Sequence, residues 1–261
     1  MLVIAHISDL HFNGSRRARS RVKAVMDYIN DRADGIDVLL VTGDIADTGT
    51  TSQYMEAAGV LKSPLPMLLC PGNHDRRAEF AHQLLGRDSG DKPINTALRV
   101  NGALVLSMDS SVPDEPQGLL SYGTLDWADQ QITDFGDGGP VLMAFHHPPV
   151  TLEMPFMDAI RMQGTPRLGA LIDKHPSVVG MFCGHAHTGA ITQFHNRRVA
   201  LAPGVASTLN LPFEGGGIIN ETQPPGLAFH VIDDDWRIIT HYRAVTVKSR
   251  RWSNERGWVE R

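Results

Sequence analysis

Apolar residues fall along this chain in short runs, and most of the runs stop at the same kind of place, a turn that carries carboxylates or imidazoles. Leu2 to Ser8, Val38-Leu39-Leu40-Val41, Leu65 to Cys70, Val141 to Phe145 and Val178 to Cys183 are near-continuously hydrophobic and too short for helices, which marks buried strands. Between the first three lie segments with helical spacing. Residues 16 to 33 put Val22, Val25, Met26 and Ile29 on one face, and a helix from about Ser52, which can cap it, to Leu61 follows the second strand. Strand, polar loop and helix recur in the βαβ rhythm of a layered α/β domain. Sites in open α/β sheets form beyond the carboxyl ends of the strands, so these loops fall on one edge.

After a helix over 76 to 87 the pattern turns antiparallel. Ala97 to Val100 and Ala103 to Met108 flank Asn101-Gly102, a hairpin signal. A helix around Tyr122 to Phe135, with Trp127 on its apolar face, precedes the fourth buried strand, and a helix near 166 to 174 precedes the fifth. Strand-like runs at 189 to 194, 197 to 202, 226 to 232 and 236 to 245 complete the set, the first two joined at His195-Asn196. Residues 109 to 117 read as a loop. The stretch 150 to 164, with Met154, Phe156, Met157 and Met162, is apolar but broken by proline and glycine; it reads as core filling, with a lid or partner surface as the alternative. The 203 to 225 loop, with Gly215-Gly216-Gly217, is long enough to be functional or mobile. Residues 1 to 245 read as one domain, without repeat or linker, and 246 to 261, bearing Trp252 and Trp258 among arginines, as a C-terminal tail that docks on a neighbour or hangs loose.

The 261 residues are 42% hydrophobic and 20% charged, an ordinary soluble composition. No apolar run approaches the ~20 residues of a membrane span, and the N-terminus meets Ser8-Asp9 too soon for a signal peptide, so a cytoplasmic protein with no membrane partner is expected. A net charge of −5 provides no basic field for nucleic acid. Cys70 and Cys183 each close an apolar run and are expected to stay reduced. The basic run Arg16 to Lys23 reads as a solvated helix face rather than a phosphate-binding patch.

Five strand ends contribute Asp9 and His11, Asp44, Asn73 and His74, His146, and His185 and His187. Residues at i and i+2 astride a strand end can point the same way, so Asp9 with His11 and His185 with His187 each offer two donors to a common centre. Oxygen and imidazole donors without thiolate suit manganese, iron, cobalt or zinc. The set exceeds what one ion needs; two ions ~3.5 to 4 Å apart and sharing a carboxylate would use it fully. Two divalent cations against Asp9, Asp44 and a hydroxide leave surplus positive charge, which favours an anion, and a phosphate ester is the natural candidate.

Asp9-X-His11, Gly43-Asp44-X-X-Asp47, Gly72-Asn73-His74-Asp75, His146 and Gly184-His185-X-His187, in that order over residues 1 to about 200, resemble the calcineurin-like metallophosphoesterases. The resemblance implies an α/β (α+β) fold, a four-layer αββα sandwich of two mixed β-sheets flanked by helices. It implies one metal held by Asp9, His11, Asp44 and His187, and a second held by Asp44, Asn73, His146 and His185, with Asp44 bridging and iron or manganese favoured. His74 and Asp75 are then the catalytic candidates: His74 contacts the phosphate and helps the leaving oxygen, while Asp47 and Asp75 orient neighbouring groups.

The compact length and the Gly-Asn-His-Asp and His-His-Pro-Pro versions are similar to the bacterial class III cyclic nucleotide phosphodiesterases and their glycerophosphodiesterase relatives. The implied activity is hydrolysis of small phosphodiesters by in-line attack of a metal-bound hydroxide, with 3',5'-cyclic nucleotides such as cAMP as first choice. A glycerophosphodiesterase or broad-specificity phosphodiesterase/phosphomonoesterase is the alternative, and an inactive metal-binding scaffold is disfavoured by the intact His74. The acidic pI counts against a nuclease, and a protein phosphatase is a further alternative. The 150 to 164 stretch and the tail suggest a homodimer or higher homo-oligomer. Elsewhere His6 reads as a hydrogen-bonded core histidine, His147 as a substrate contact or a packing group against Pro148, and His82, His175, His195, His230 and His241 as surface or packing residues.

Overall fold

The first half of the chain alternates strand and helix as its hydrophobic rhythm requires: β1 (Leu2–Ile7), α1 (Arg16–Asn30), β2 (Val38–Thr42), α2 (Thr51–Val60), β3 (Met67–Cys70) and α3 (Arg77–Leu85). A computed structural model describes residues 1–136, 138–247, 250–253 and 257–260. Ser15 Oγ caps α1 by accepting from Ala18 N. Thr50, not Ser52, caps α2, because Gln53 lies three residues on and its side chain returns to the Thr48 and Thr50 amides; Ser52 sits inside the first turn.

The second half continues with β4 (Thr96–Val100), β5 (Ala103–Ser107), β6 (Gly118–Leu119), α4 (Tyr122–Phe135), β7 (Val141–Ala144), α5 (Pro155–Ala159), β8 (Met162–Gln163), α6 (Thr165–Lys174) and β9 (Val178–Cys183). Then come β10 (Ala190–Phe194), β11 (Arg197–Leu201), β12 (Thr208–Leu209), β13 (Ile219–Asn220), β14 (Gly226–Ile232) and β15 (Ile238–Ala244). In the tail, β16 (Arg250–Ser253) pairs with β17 (Gly257–Glu260); residues 248, 249, 254–256 and 261, with the tail's expected docking role, lie outside what is described. The Asn101-Gly102 hairpin forms as expected, both residues at positive φ.

One sheet runs β15-β14-β1-β2-β3, with β1, β2 and β3 parallel. The other runs β10-β11-β9-β7-β5-β4, with parallel β11, β9, β7 and β5 between antiparallel edges. Alternate residues of each face the other: Ile4, Val38, Leu40 and Leu68 meet Val105, Leu142, Ala144 and Phe182 in the inter-sheet core. The outer faces bury Val22, Met26, Tyr54 and Phe80 of the first helices, and Leu125, Ile132, Leu168 and Ile172 of α4 and α6. The result is the expected four-layer αββα sandwich. Each fully buried large apolar side chain contributes about 1.5–3 kcal/mol, enough in sum to hold the sheets in one relative register.

That register brings the ends of β1, β2, β3, β7 and β9 together, and hydrogen bonds tie their loops. Asp9 N donates to Gly43 O at 3.1 Å, Gly184 N to His146 O at 3.0 Å, and Ser8 Oγ to Thr42 O at 2.7 Å. His6 lies fully buried between the sheets, with Nδ1 3.0 Å from His230 Nε2 and Nε2 2.8 Å from Thr42 Oγ1. Burial pushes His6 down to about 3; His230, equally buried and stacked on Phe182, is also lowered.

Candidate metal centre

Asp9, His11, Asp44, His185 and His187 all adopt the left-handed backbone region, with φ of 56°, 43°, 49°, 70° and 53°. Non-glycine residues rarely do so, at a cost on the order of 1–2 kcal/mol each. Each lies two to four residues past the end of β1, β2 or β9, in the turn that leaves the strand. The adjoining glycines are there for closeness: a Cβ on Gly72 would stand 2.2 Å from Asp44 Oδ1, and one on Gly43 2.6 Å from His146 Nδ1.

Two groups of donors face one another across Asp44. Asp9, His11, Asp44 and His187 have ligand atoms within 4.8 Å of one another. Asp44 Oδ2 then reaches the second group, 3.5 Å from His11 Nε2 on one side and 3.4 Å from His146 Nε2 on the other. His146 Nε2 in turn lies 3.2 Å from His185 Nδ1. Asn73, half-buried, carries a buried Oδ1 without a hydrogen-bond partner, as do Asp9 Oδ2 and His185 Nε2.

The hydrogen positions favour a cation here. A carbonyl or carboxylate oxygen can only accept, so His146 Nδ1–H donates to Thr42 O at 2.6 Å, His187 Nδ1–H to Ser207 O at 3.2 Å and His11 Nδ1–H to Asp47 Oδ1 at 3.1 Å. In the neutral rings each Nε2 is then a bare lone pair. His11 Nε2 and His187 Nε2 sit 3.2 Å apart, a repulsive arrangement unless a proton or a cation lies between them. Electrostatics makes the same demand. Burial alone would lower His146, yet the Asp44 and Asp9 carboxylates override it and hold the ring at about 9. Burial would raise Asp44, but His146 and His11 hold it well below the usual carboxylate range. His185, by contrast, is pushed down to about 3 by burial and then by His146. Buried carboxylates with orphaned oxygens and imidazoles presenting lone pairs form a donor set that fits divalent ions.

A profile of the calcineurin-like phosphoesterase family matches residues 2–189. The chain belongs to that family. It is 30% identical to a glycerophosphodiester phosphodiesterase, GpdQ, of Enterobacter lignolyticus over 92% of its own length and 91% of the relative's. It is 34% identical to a 3',5'-cyclic-nucleotide phosphodiesterase of a Nostoc species over 74% of each chain. In fold it is similar to a dimetal phosphatase from Danio rerio, with a TM-score of 0.70 at 14% identity over 93% of this chain and 96% of that one. Calcineurin-like phosphoesterases bind a dimetal centre, and a phosphodiester hydrolase is the activity that the family and its phosphodiesterase relatives support.

In this phosphoesterase the remaining motif residues are placed differently from one another. His74 is exposed, and its Nδ1–H donates to Asp47 O at 2.7 Å, leaving Nε2 free at the mouth of the site. The Asp75 carboxylate turns away from the cluster. It accepts from Ile45 N, Ala46 N, Gly72 N and Tyr54 Oη, so it ties the β2 loop that carries Asp44 to the β3 loop that carries Asn73. His147 is fully buried, 2.9 Å from Ser110 Oγ and packed against Gly118.

Two further groups meet only in the folded chain. Arg17 and Arg21 do not lie on a solvated face: Arg17 donates to Ala206 O and Glu221 O, and buried Arg21 to Val205 O and Gln223 O. They hold both ends of the β12–β13 flap, which supplies Ser207 to His187. The flap and α5 also wall a cavity of about 540 Å³ over the cluster, with Phe156, Ile160, Leu209, Ile218 and Ile219 facing His11, Asp44, Asn73, His74, His185 and His187. Among the described residues no helix is long and apolar enough to cross a membrane.

Proposed function

We propose that this chain hydrolyses small phosphodiesters, 3',5'-cyclic nucleotides such as cAMP first among them, at two divalent ions. Asp9, His11, Asp44 and His187 would hold one ion, and Asp44, Asn73, His146 and His185 the other. The observation that carries the reading is the position of Asp44 Oδ2 between His11 Nε2 and His146 Nε2, at 3.5 and 3.4 Å. Bound there, the ions would neutralise the phosphate's charge and lower the pKa of a coordinated water. Imidazole and carboxylate donors without thiolate favour manganese or iron, with cobalt and zinc as the other fits.

The chain's own residues would do the rest. His74, its Nδ1–H engaged by Asp47 O, keeps Nε2 toward the cavity, where its protonated form donates to a phosphate or leaving-group oxygen. Asn73, as a neutral donor, leaves the second ion more electrophilic than a carboxylate would. Asp47 orients His11 through its Nδ1–H. The apolar cavity wall excludes water from one side and suits the face of a nucleobase.

Glycerophosphodiesters are the second reading, favoured by a glycerophosphodiester phosphodiesterase relative that aligns with 92% of the chain. Rates on cAMP, glycerophosphocholine, an aryl phosphodiester and an aryl phosphomonoester, each with manganese, separate the readings. His74→Ala and Asn73→Ala are expected to lower activity by about 10² to 10³ while the fold is kept. Absence of turnover on every diester with every divalent metal would sink the proposal.

A further inference from the structure

The metal cluster does not lie at the bottom of a single pocket. It lies at the junction of two grooves of opposite character. The cavity over the cluster continues away from it into a second hollow of about 270 Å³, with which it shares Phe156, Met157, Leu209 and Ile218; Met154, Pro155 and Pro212 complete that hollow. Its one amide, Asn210, is already engaged: Nδ2 donates to Gly217 O and Oδ1 accepts from Asn220 Nδ2. This arm of the channel therefore offers chiefly apolar contact. On the other side, beyond His74 and Asn73, a groove of about 420 Å³ is lined by Asp47, Thr48, Arg76, Asp114 and Glu115. The two grooves share Asp47, Asn73, His74 and Pro116, the residues at the mouth of the cluster.

Exposure points the same way. Phe156, Ile218 and Ile219 are 57%, 53% and 65% exposed although they border the cavity, and Phe213 on the same flap is 84% exposed. Large apolar side chains gathered at the lip of a polar site gain free energy when an apolar group covers them. A cyclic nucleotide, whose two ester oxygens belong to one ring system, would place its base on the apolar wall and leave the polar groove to water. An open-chain diester has two arms leading from phosphorus in different directions, and the two grooves match them.

We infer that the juxtaposition of the Phe156–Ile218 wall and the Thr48–Arg76–Glu115 groove across His74 selects, among open-chain phosphodiesters, those with one apolar arm and one hydroxylated or zwitterionic arm, and that Phe156 and Ile218 determine this specificity. The inference rests on the phosphodiesterase reading and adds to it a preference among open-chain substrates. In the step itself the oxygen of water bonds to phosphorus, the bond from phosphorus to one ester oxygen breaks, and that oxygen leaves with a proton. The products are one alcohol and one phosphomonoester.

The test compares hexanoyl-lysophosphatidylglycerol, used below its micellar concentration, with unacylated glycerophosphoglycerol, and bis(p-nitrophenyl) phosphate is assayed in parallel on the manganese-loaded enzyme. The acylated diester is expected to have a kcat/KM at least tenfold higher than the unacylated one. Phe156→Ser and Ile218→Ser, both at exposed positions that tolerate the change, should bring the acylated-to-unacylated ratio down toward one. Equal kcat/KM for the acylated and unacylated diesters, or a ratio that the variants leave unchanged, would overturn the inference while turnover of bis(p-nitrophenyl) phosphate left the phosphodiesterase reading standing. No turnover of any diester removes that reading and the inference with it. Sedimentation run alongside identifies the other occupant: a dimer dissociated by the same variants, together with equal lipid rates, assigns the wall to a second copy of the chain and overturns the inference.

Discussion

The guanidinium of Arg21 donates from Nε to the carbonyl of Val205 at 2.7 Å, across 184 positions of sequence, and from Nη1 to Gln223 O at 2.9 Å. This buried side chain closes the base of the flap that carries Ser207 against His187 and Ile218 against the cavity.

Arg21→Met keeps the aliphatic stem and removes the donors. Losing charge-assisted bonds to the Val205 and Gln223 carbonyls should cost about 2 kcal/mol and lower Tm by about 4 to 8 °C. The activity should fall as well, because His187 loses its fixed partner. Thermal unfolding and kcat/KM for an aryl diester check this; a variant matching the parent in both would show that the flap is held by other contacts.

Asp75 acts through the backbone it gathers. With four donors on one carboxylate, Asp75→Asn places an amide N–H₂ against at least one of them and should cost about 2–4 kcal/mol along with the rate. Tyr54→Phe removes one donor and should cost about 1 kcal/mol. His74→Ala, at an exposed position, should lose rate with Tm nearly unchanged. If D75N retained its stability and lost only rate, Asp75 would belong to the reacting groups after all.

Stripping the metals should destabilise the fold. Without cations, Asp9 and Asp44 have only imidazole protons to offset them, and any ion that binds the folded state alone stabilises it by about 2.7 kcal/mol at a concentration 100 times its Kd. Chelator-treated protein should therefore unfold several degrees lower, with manganese restoring the loss. Identical melting curves before and after chelation would argue against a preformed centre.

Acid stability has a source outside the metal centre. His6 is held at about 3 when folded, against an unfolded value near 6.5. Above about pH 6.5 neither state takes the proton, and stability is level. Between about 6.5 and 3 the unfolded chain binds a proton that the folded chain refuses, so stability falls as pH falls, by about 1.4 kcal/mol per pH unit for this group. Urea midpoints from pH 7.5 to 5 should drop less steeply in His6→Gln than in the parent; parallel curves would mean that His6 plays no part in the acid response.

Much of the fold was legible because its signals are local. Hydrophobic runs bounded by polar turns, the Asn101-Gly102 hairpin and the periodicity of α1 depend on neighbours within a few residues. The strand ends announced themselves in the same way, through Asp9, His11, Asp44, Asn73, His74, His146, His185 and His187. The resemblance supplied the layer order that pairing between distant strands later made explicit.

What the chain by itself determined was therefore the donor types and their positions at strand ends, since side-chain chemistry and strand periodicity are written residue by residue. Only the tertiary structure decided that Asp44 stands between two groups of donors, that five of the candidates bend into left-handed backbone, and that Asp75 turns from the cluster to the loops. The same holds for Arg21 on Val205 and for Phe156 beside Ile218. Each of these depends on groups far apart in sequence that meet only once the two sheets have packed, because buried area and hydrogen-bond geometry exist only between surfaces already brought together.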